Sequence, residues 1–531
     1  MELRYGDVLL HLRDSLSYKW TATETGCVRG YAYVGEKFLK GKALLSYLEA
    51  VSSQVELEEK IVSLNGLYSF ILYTAFGVVA CVDQIRSMPL FYRGTELFDA
   101  LDEDAISNWE IDQDALAVYR NCVFTPNKKT LFKGTYQVQT GYYLLLNSEG
   151  AYQYPHFTMQ YAQRQVTDID EAVQILDKSL TQTARRTIEI LNGRTALIAL
   201  SGGHDSRILA FYLKRLGYQN IIAYSYGLPG NDDAVCSQKV AEILDIPWYF
   251  VYYDPKKMRP LYEKEFKQFA LFVGNGTSLP HLQEWFAVNQ LREKGVLPKD
   301  CVFITGYGGD FTAGEFIWRD AAQVEPISVE TLVQFIMRSE FRPDYLLGRE
   351  NMCTMEDSAV IRLALQEEFP ELLDADRTFT AKEANQIVER AILTGWYSKF
   401  IANAIRVFDF LGYKWLMPFF ERSQFEAWGT IDNSLRRFRI AYFEQAKRAY
   451  PDELNAVEFA WPAIVDWVEA LHQEPSFGHF MYGYLNVKVE DYYEQIREKV
   501  LKTPNIYFQQ QYVEILKAIC SKETVPCKER I

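Results

Sequence analysis

Paired cysteines, clustered histidines and an excess of positive charge are all missing from this 531-residue chain. Its eight cysteines, at 27, 81, 122, 236, 301, 353, 520 and 527, form no CxxC pair and no regular spacing, the pattern of reduced thiols rather than a disulfide framework or zinc ribbon. Six histidines, at 11, 156, 204, 281, 472 and 479, make no HExxH and no ligand pair with cysteine, which excludes the common zinc sites. With 56 Lys+Arg against 70 Asp+Glu, the net charge is −14, and no nucleic-acid partner is expected beyond what a local basic patch would hold. Residues 1–7, MELRYGD, lack the basic and apolar segments of a secretory signal, so the expected location is the cytoplasm. One uncharged run, 61–82, is long enough to cross a bilayer. It contains Ser63, Asn65, Gly66, Ser69, Thr74 and Gly77, however, and its turn at 73–77 divides it into two strand-like halves, so a buried β-hairpin and no membrane partner are expected. Gly35 to Lys42 is no Walker loop, because five residues separate Gly35 from Gly41 and Ala43 replaces Ser or Thr.

What is present is a large apolar fraction, 48%, enough to fill a core and exclude disorder as the main state. Residues 1–160 are rich in short β-type runs, such as 30–34, 68–73, 78–83 and 142–146, broken by turn residues. From 168 the texture changes: Val173, Leu176, Leu180, Ala184, Ile188 and Leu191 recur at three- and four-residue steps, predicting a helix over 168–191. Strands at 195–200, 221–226, 248–253 and 301–305 then alternate with helices at 206–216, 232–244 and 281–292, which implies βαβ units and a parallel sheet. After 320 the pattern reads as mostly helical. In such sheets ligands bind beyond the carboxyl ends of the strands.

At the end of the first of these strands stands Ser201-Gly202-Gly203-His204-Asp205-Ser206-Arg207. Two glycines let the backbone turn tightly and approach a ligand, and free N–H groups with the following helix's positive end make an anion cradle. Asp205 would repel a phosphate unless a cation lay between them, which points to Mg²⁺. An ordinary strand-to-helix turn capped by Ser or Asp is the alternative. A second element, Thr305-Gly306-Tyr307-Gly308-Gly309-Asp310, follows another buried strand, so Asp310 is expected on the same sheet edge as Asp205, completing a site for Mg²⁺ and pyrophosphate.

The SGGxDS loop resembles the pyrophosphate-binding loop of the N-type ATP pyrophosphatases, and with Thr-Gly-Tyr-Gly-Gly-Asp it resembles the asparagine synthetase and β-lactam synthetase superfamily. Asn65 to Phe70, Asp83 to Tyr92 and Thr130 to Gly134 followed by Gly141-Tyr142 are similar to that family's glutaminase domain. The resemblance implies an α+β Ntn-like domain of layered antiparallel sheets over 1–165. An α/β synthetase domain over 166–531 would follow, adenine nucleotide alpha hydrolase-like with a parallel sheet and a helical C-terminal part. It further implies that ATP adenylates a small carboxylate, pyrophosphate leaves, and an amine attacks the acyl-adenylate to give an amide and AMP. By position, Ser201, Gly202, Gly203 and Ser206 would hold pyrophosphate, Asp205 and Asp310 would hold Mg²⁺, and Leu200, Tyr226 and Gly306 would contact adenosine, mainly through backbone groups.

The chain departs from the family in three places. Glutamine-dependent members expose a cysteine at mature position 1, whereas here Met1 precedes Glu2 and the nearest cysteine is Cys27, so the N-terminal domain is expected to be glutaminase-inactive. Tyr307 stands where asparagine synthetases carry glutamate and β-lactam synthetases tyrosine, which favours an organic amine, intramolecular or external, over ammonia. Its partner carboxylate is expected at Glu340. The family's late lysine has no counterpart near 455–459, and Lys399, Lys414, Lys447 or Arg207 is left to supply that charge. The expected activity is therefore an ATP-dependent, AMP-forming amide ligase acting on small-molecule carboxylate and amine substrates. An ammonia-dependent asparagine synthetase-like enzyme making a modified metabolite or polysaccharide, a non-catalytic scaffold and a tRNA-thiolating enzyme are the rival readings. The oligomeric state is left open, a homodimer included.

Overall fold

Alternation of apolar and polar residues drives the first third of the chain into strands, and the computed structural model arranges them in two antiparallel-rich layers. The model describes residues 1–13, 17–227, 229–317, 326–340, 355–457 and 504–521. One layer has five strands, built around Glu2–Tyr5, Val8–His11, Glu96–Phe98, Phe91–Arg93 and Tyr136–Gln137. The other has seven, centred on Gly26–Val34, Leu64–Thr74 and Gly77–Val82. The uncharged run forms the expected hairpin, with Thr74 opposite Gly77, although its first three residues end the helix Gln54–Ser63. Between the layers lie Leu10, Cys27, Ile71, Ala80, Leu90, Leu97, Val138 and Leu144, all fully buried.

The helix Ile169–Leu191 follows, its start fixed by the Asp168 side chain accepting from the Glu171 N–H at 2.9 Å. Beyond it comes a five-stranded parallel sheet in the order Trp248–Tyr252, Ile221–Gly227, Ala196–Ala199, Val302–Ile304, Lys414–Leu416. The order reverses at the central strand Ala196–Ala199, which places a crevice beyond the ends of Ala196–Ala199 and Val302–Ile304. Both phosphate-type loops emerge there. No helix among the described residues is long and apolar enough to cross a membrane.

Three elements differ from the sequence reading. The fifth strand, Lys414–Leu416, lies in the region read as helical: three residues carry too little alternation to register, and only pairing with Val302–Ile304 defines them. The helix expected at 281–292 begins at Trp285, after Leu279 N–H has bonded to Val123 O at 2.7 Å and drawn the preceding segment against the N-terminal layers. A further helix, Pro255–Gly274, fills the crossover that the sequence reading left without an element.

Trp415 anchors the edge of the parallel sheet to the N-terminal layers. It is 1% exposed, meets the Tyr18 ring edge-on at 5.2 Å, and its carbonyl accepts from the Tyr18 hydroxyl at 2.6 Å. Trp415→Ala is expected to lower stability by about 3–5 kcal/mol in urea denaturation, the cost of an unfilled indole cavity; a loss under about 1 kcal/mol would show the contact to be dispensable.

Candidate active site

The loop after Ala196–Ala199 turns through Ser201, Gly202 and Gly203 into the helix His204–Arg215, with Gly203 as a cap that supplies no side chain. Each loop amide faces a side-chain oxygen. Ser201 N–H donates to Ser206 Oγ at 3.1 Å, Gly202 N–H to Asp233 Oδ1 at 2.6 Å, and Gly203 N–H to Ser201 Oγ at 3.2 Å. An acidic oxygen on the Gly202 amide shows that the loop presents its donors to an anionic acceptor. Asp233, which the sequence reading did not single out, supplies it.

The second loop packs directly onto the first. Asp310 N–H donates to Asp205 Oδ2 at 3.2 Å, and the charge of Asp310 acts on the Asp205 carboxyl. Two tyrosines hold them in orientation: Tyr442 donates to Asp205 Oδ1 at 2.5 Å and Tyr397 to Asp310 Oδ1 at 2.9 Å. Glycine is required for this approach. A Cβ on Gly309 would lie 2.7 Å from Asp205 Cγ, and one on Gly306 would lie 2.9 Å from the Ser206 nitrogen. Burial, then the charge of Asp310, pushes the Asp205 carboxyl up to about 7 from an ordinary 3.8. A cation between the two would relieve that repulsion, and a pair of hard carboxylate oxygens beside a phosphate cradle is the donor set that magnesium takes.

The remaining expected residues are placed as follows. Ser206 is buried and shares a 3.1 Å contact between its Oγ and that of Ser201. Leu200 is 2% exposed; its N–H donates to Tyr224 O at 2.9 Å and its carbonyl accepts from Ser225 Oγ at 2.5 Å. The sheet therefore uses the N–H through which Leu200 was expected to meet adenosine, leaving only the second carbonyl lone pair. Tyr226 is half-buried and stacks on Tyr253 at 5.1 Å. Arg207 is turned inward, donating to Gly202 O at 3.0 Å and Val457 O at 2.9 Å, so it braces the loop from behind rather than reaching across it. Its neighbour His204 packs among Phe443, Tyr442 and Tyr450 and is pushed down to about 3 by burial. Glu340 ends the helix Val329–Glu340, and its side chain lies outside the described residues.

Three residues outside the two glycine-rich loops also enter the site. Arg439 lowers the proton affinity of Asp205 through its charge and is held by Glu315 at 3.1 Å. It follows Phe438 in a left-handed pair, φ 56° and 59°, at a kink before Ile440–Ala449. Of the lysines considered for the missing charge, Lys399 is buried on Thr125 O at 2.8 Å, while Lys414 and Lys447 are exposed. Glu284 is 4% exposed, with Oε2 unpartnered among the described residues, and burial pushes it up to about 8. Its charge acts on Tyr307, whose hydroxyl is raised well above its ordinary range by burial and then by Glu284. His281 meets the Tyr307 ring edge-on at 6.4 Å. The third, Asp233, has no motif around it, and neither it nor Arg439 could be found without knowing which segments fold together.

Residues 176–326 match the asparagine synthase family model. This stretch carries both acidic loops, Tyr307 and Glu284, and the match supports ATP-dependent carbon–nitrogen ligation as the class of chemistry. No curated protein sequence matches the chain. Among solved structures, an NH3-dependent NAD synthetase from Campylobacter jejuni is similar at 12% identity and a TM-score of 0.22, over 44% of this chain and 96% of that one. A U34-tRNA thiolase from Methanococcus maripaludis has 12% identity and a TM-score of 0.20, over 48% and 88%. A glutamine phosphoribosylpyrophosphate amidotransferase from B. subtilis has 12% identity and 0.16, over 54% and 63%. Likenesses at these scores carry no argument about activity.

The acidic pair has a measurable cost in the free protein. Because Asp205 is raised from 3.8 to about 7, the folded state binds the extra proton between those values, and stability falls as pH rises through that window. Asp205→Asn is therefore expected to raise the ligand-free unfolding midpoint at pH 8 by about 2 °C or more, with the gain shrinking toward pH 5. A gain that is constant with pH would show that repulsion is not its source.

Proposed function

We propose that the protein is an ATP-dependent, AMP-forming amide synthetase that joins a small carboxylate to an amine. The observation that supports this reading is the contact of Asp205 with Asp310 beside the loop amides of 201–203. A substrate carboxylate oxygen attacks the α-phosphorus of ATP, and the bond to pyrophosphate breaks. The amine nitrogen then attacks the acyl carbon, the bond to AMP breaks, and a proton leaves nitrogen. Ser201, Gly202, Gly203 and Ser206 bind the departing pyrophosphate, after Asp233 releases the Gly202 amide. Asp205 and Asp310 would hold Mg²⁺, which when bound neutralises phosphate charge. Arg439 is the cation for the charge that builds on the leaving group, and Arg207 keeps the loop in shape. Leu200, Tyr226 and Gly306 lie at the nucleoside end.

On the amine side, Glu284 supplies the carboxylate beside Tyr307 that was sought at Glu340. A carboxyl near 8 is matched to take a proton from an amine at neutral pH. The N-terminal domain, 1–165, is proposed to lack glutaminase activity and to shape the substrate side of the 166–531 synthetase domain. Cys27, the first cysteine, is fully buried and its thiol is pushed up to about 12, so it is no nucleophile. The nitrogen then comes from an amine substrate. A cytoplasmic location and small-molecule partners belong to the same reading, with ammonia-dependent synthesis as its alternative.

ATP/pyrophosphate exchange across a panel of carboxylates tests the first half-reaction. Asp205→Asn and Asp310→Asn are expected to abolish exchange, and Arg439→Ala to slow it by about 10² to 10³. Exchange at the wild-type rate in both Asn variants would refute the site. Glu284→Gln is expected to leave exchange intact while slowing amide formation by about 10² to 10⁴; equal losses in both steps would make it merely structural.

A further inference from the structure

Arg86 lies in the turn after the strand Gly77–Val82, 1% exposed, with φ at 56° where side chains are rarely tolerated. None of its three guanidinium nitrogens, Nε, Nη1 or Nη2, has a hydrogen-bond partner among the described residues. A second buried arginine lies within reach of its charge. Arg406, 2% exposed at the start of Arg406–Phe410, repels Arg86 through its charge. Arg406 donates through Nε to Phe272 O at 3.1 Å and lies 4.7 Å over the Phe272 ring, but its Nη2 is also unpartnered. Arg13 approaches the same ring at 5.1 Å and adds to the positive charge.

The nearby acids are committed elsewhere. Asp83 accepts from the N–H groups of Tyr68, Ile85 and Ser87 at 3.0, 3.0 and 3.1 Å and from the Ser87 hydroxyl. Asp99 accepts from Arg13 N–H, Trp20 Nε1 and Arg29 Nη1. Asp409 accepts from the Ser17 backbone and hydroxyl. Two buried like charges with unfilled donors are strongly unfavourable, and a guanidinium fork is shaped for an anion rather than for water alone. Burial, then repulsion from Arg406, lowers Arg86 to about 9, and burial, opposed by Asp409 and Asp99 and reinforced by Arg13 and Arg29, lowers Arg406 to about 10, so both are charged at neutral pH.

We infer that Arg86 and Arg406 form a binding site for one small monovalent anion, a carboxylate or halide, at the seam between the N-terminal layers and the synthetase half. The site is separate from the acidic pair and does not rest on the proposed reaction. Occupancy joins a turn of one half to a helix of the other, so the anion acts as a structural tie across the seam.

Thermal unfolding of the full chain tests this at constant ionic strength in a bulky sulfonate buffer, with sodium bromide or sodium acetate replacing the buffer salt. The wild-type midpoint is expected to rise by about 1–2 °C for each tenfold increase in anion above its dissociation constant. A response to bromide and acetate alike identifies a free anion of either source; a response to acetate alone identifies a carboxylate ligand. Arg86→Gly, which relieves the positive φ as it removes the charge, is expected to abolish the rise without lowering the midpoint in sulfonate. Arg406→Met, which keeps the stem over Phe272, serves as the second variant and is expected to abolish it too. No rise in the wild type with either salt, or an undiminished rise in both variants, overturns the inference.

Discussion

Two carboxylates held within reach of each other's charge are the constraint around which the site is built. Asp205 leaves the first turn of one helix, Asp310 leaves a glycine loop on the neighbouring strand, and the N–H of the second bonds to the oxygen of the first. Nothing local favours that arrangement. It persists because Gly306 and Gly309 let the loops close to van der Waals distance and because Tyr442 and Tyr397, from elements far along the chain, fix each carboxylate. The fold thus stores an electrostatic penalty where a cation and phosphate would relieve it, a common relation between a binding site and the stability of the empty protein.

The N-terminal layers have a part in this. Backbone bonds from Val123, Thr125 and Leu131 fasten 276–279, the segment that leads directly into His281 and Glu284. Lys399 reaches back to Thr125 O and Gln84 donates to Phe420 O at 2.6 Å, so the seam is polar and continuous. The orientation of Glu284 toward Tyr307 is consequently a property of both halves. Two buried arginines, Arg86 and Arg406, lie in the same seam.

Much of this was legible in the residues. Helix and strand periodicities located four of the five parallel strands within two residues, and the glycines around Asp205 and Asp310 marked both loops. The fifth strand was illegible because Lys414–Leu416 is too short to show a period. The burial of Glu284 was illegible because Tyr224 and Tyr307, on whose hydroxyls its charge acts, lie in other segments. Arg439 was hidden in a run of arginines, one of which, Arg436, is fully buried against Glu389. Arg207, adjacent to the loop in sequence, turned away from it because helical geometry directs the fourth residue of that turn toward the core.

By itself the sequence determined the order of layers, the parallel sheet and the pair of glycine-rich acidic loops, because these follow from local periodicity and from backbone freedom at glycine. Which side chains surround those loops was decided only by the tertiary structure. Tyr397, Arg439 with Tyr442, Asp233 and Glu284 come from four separate segments, and the burial that shifts Tyr397, Tyr442, Asp233 and Glu284 exists only once those segments are packed together.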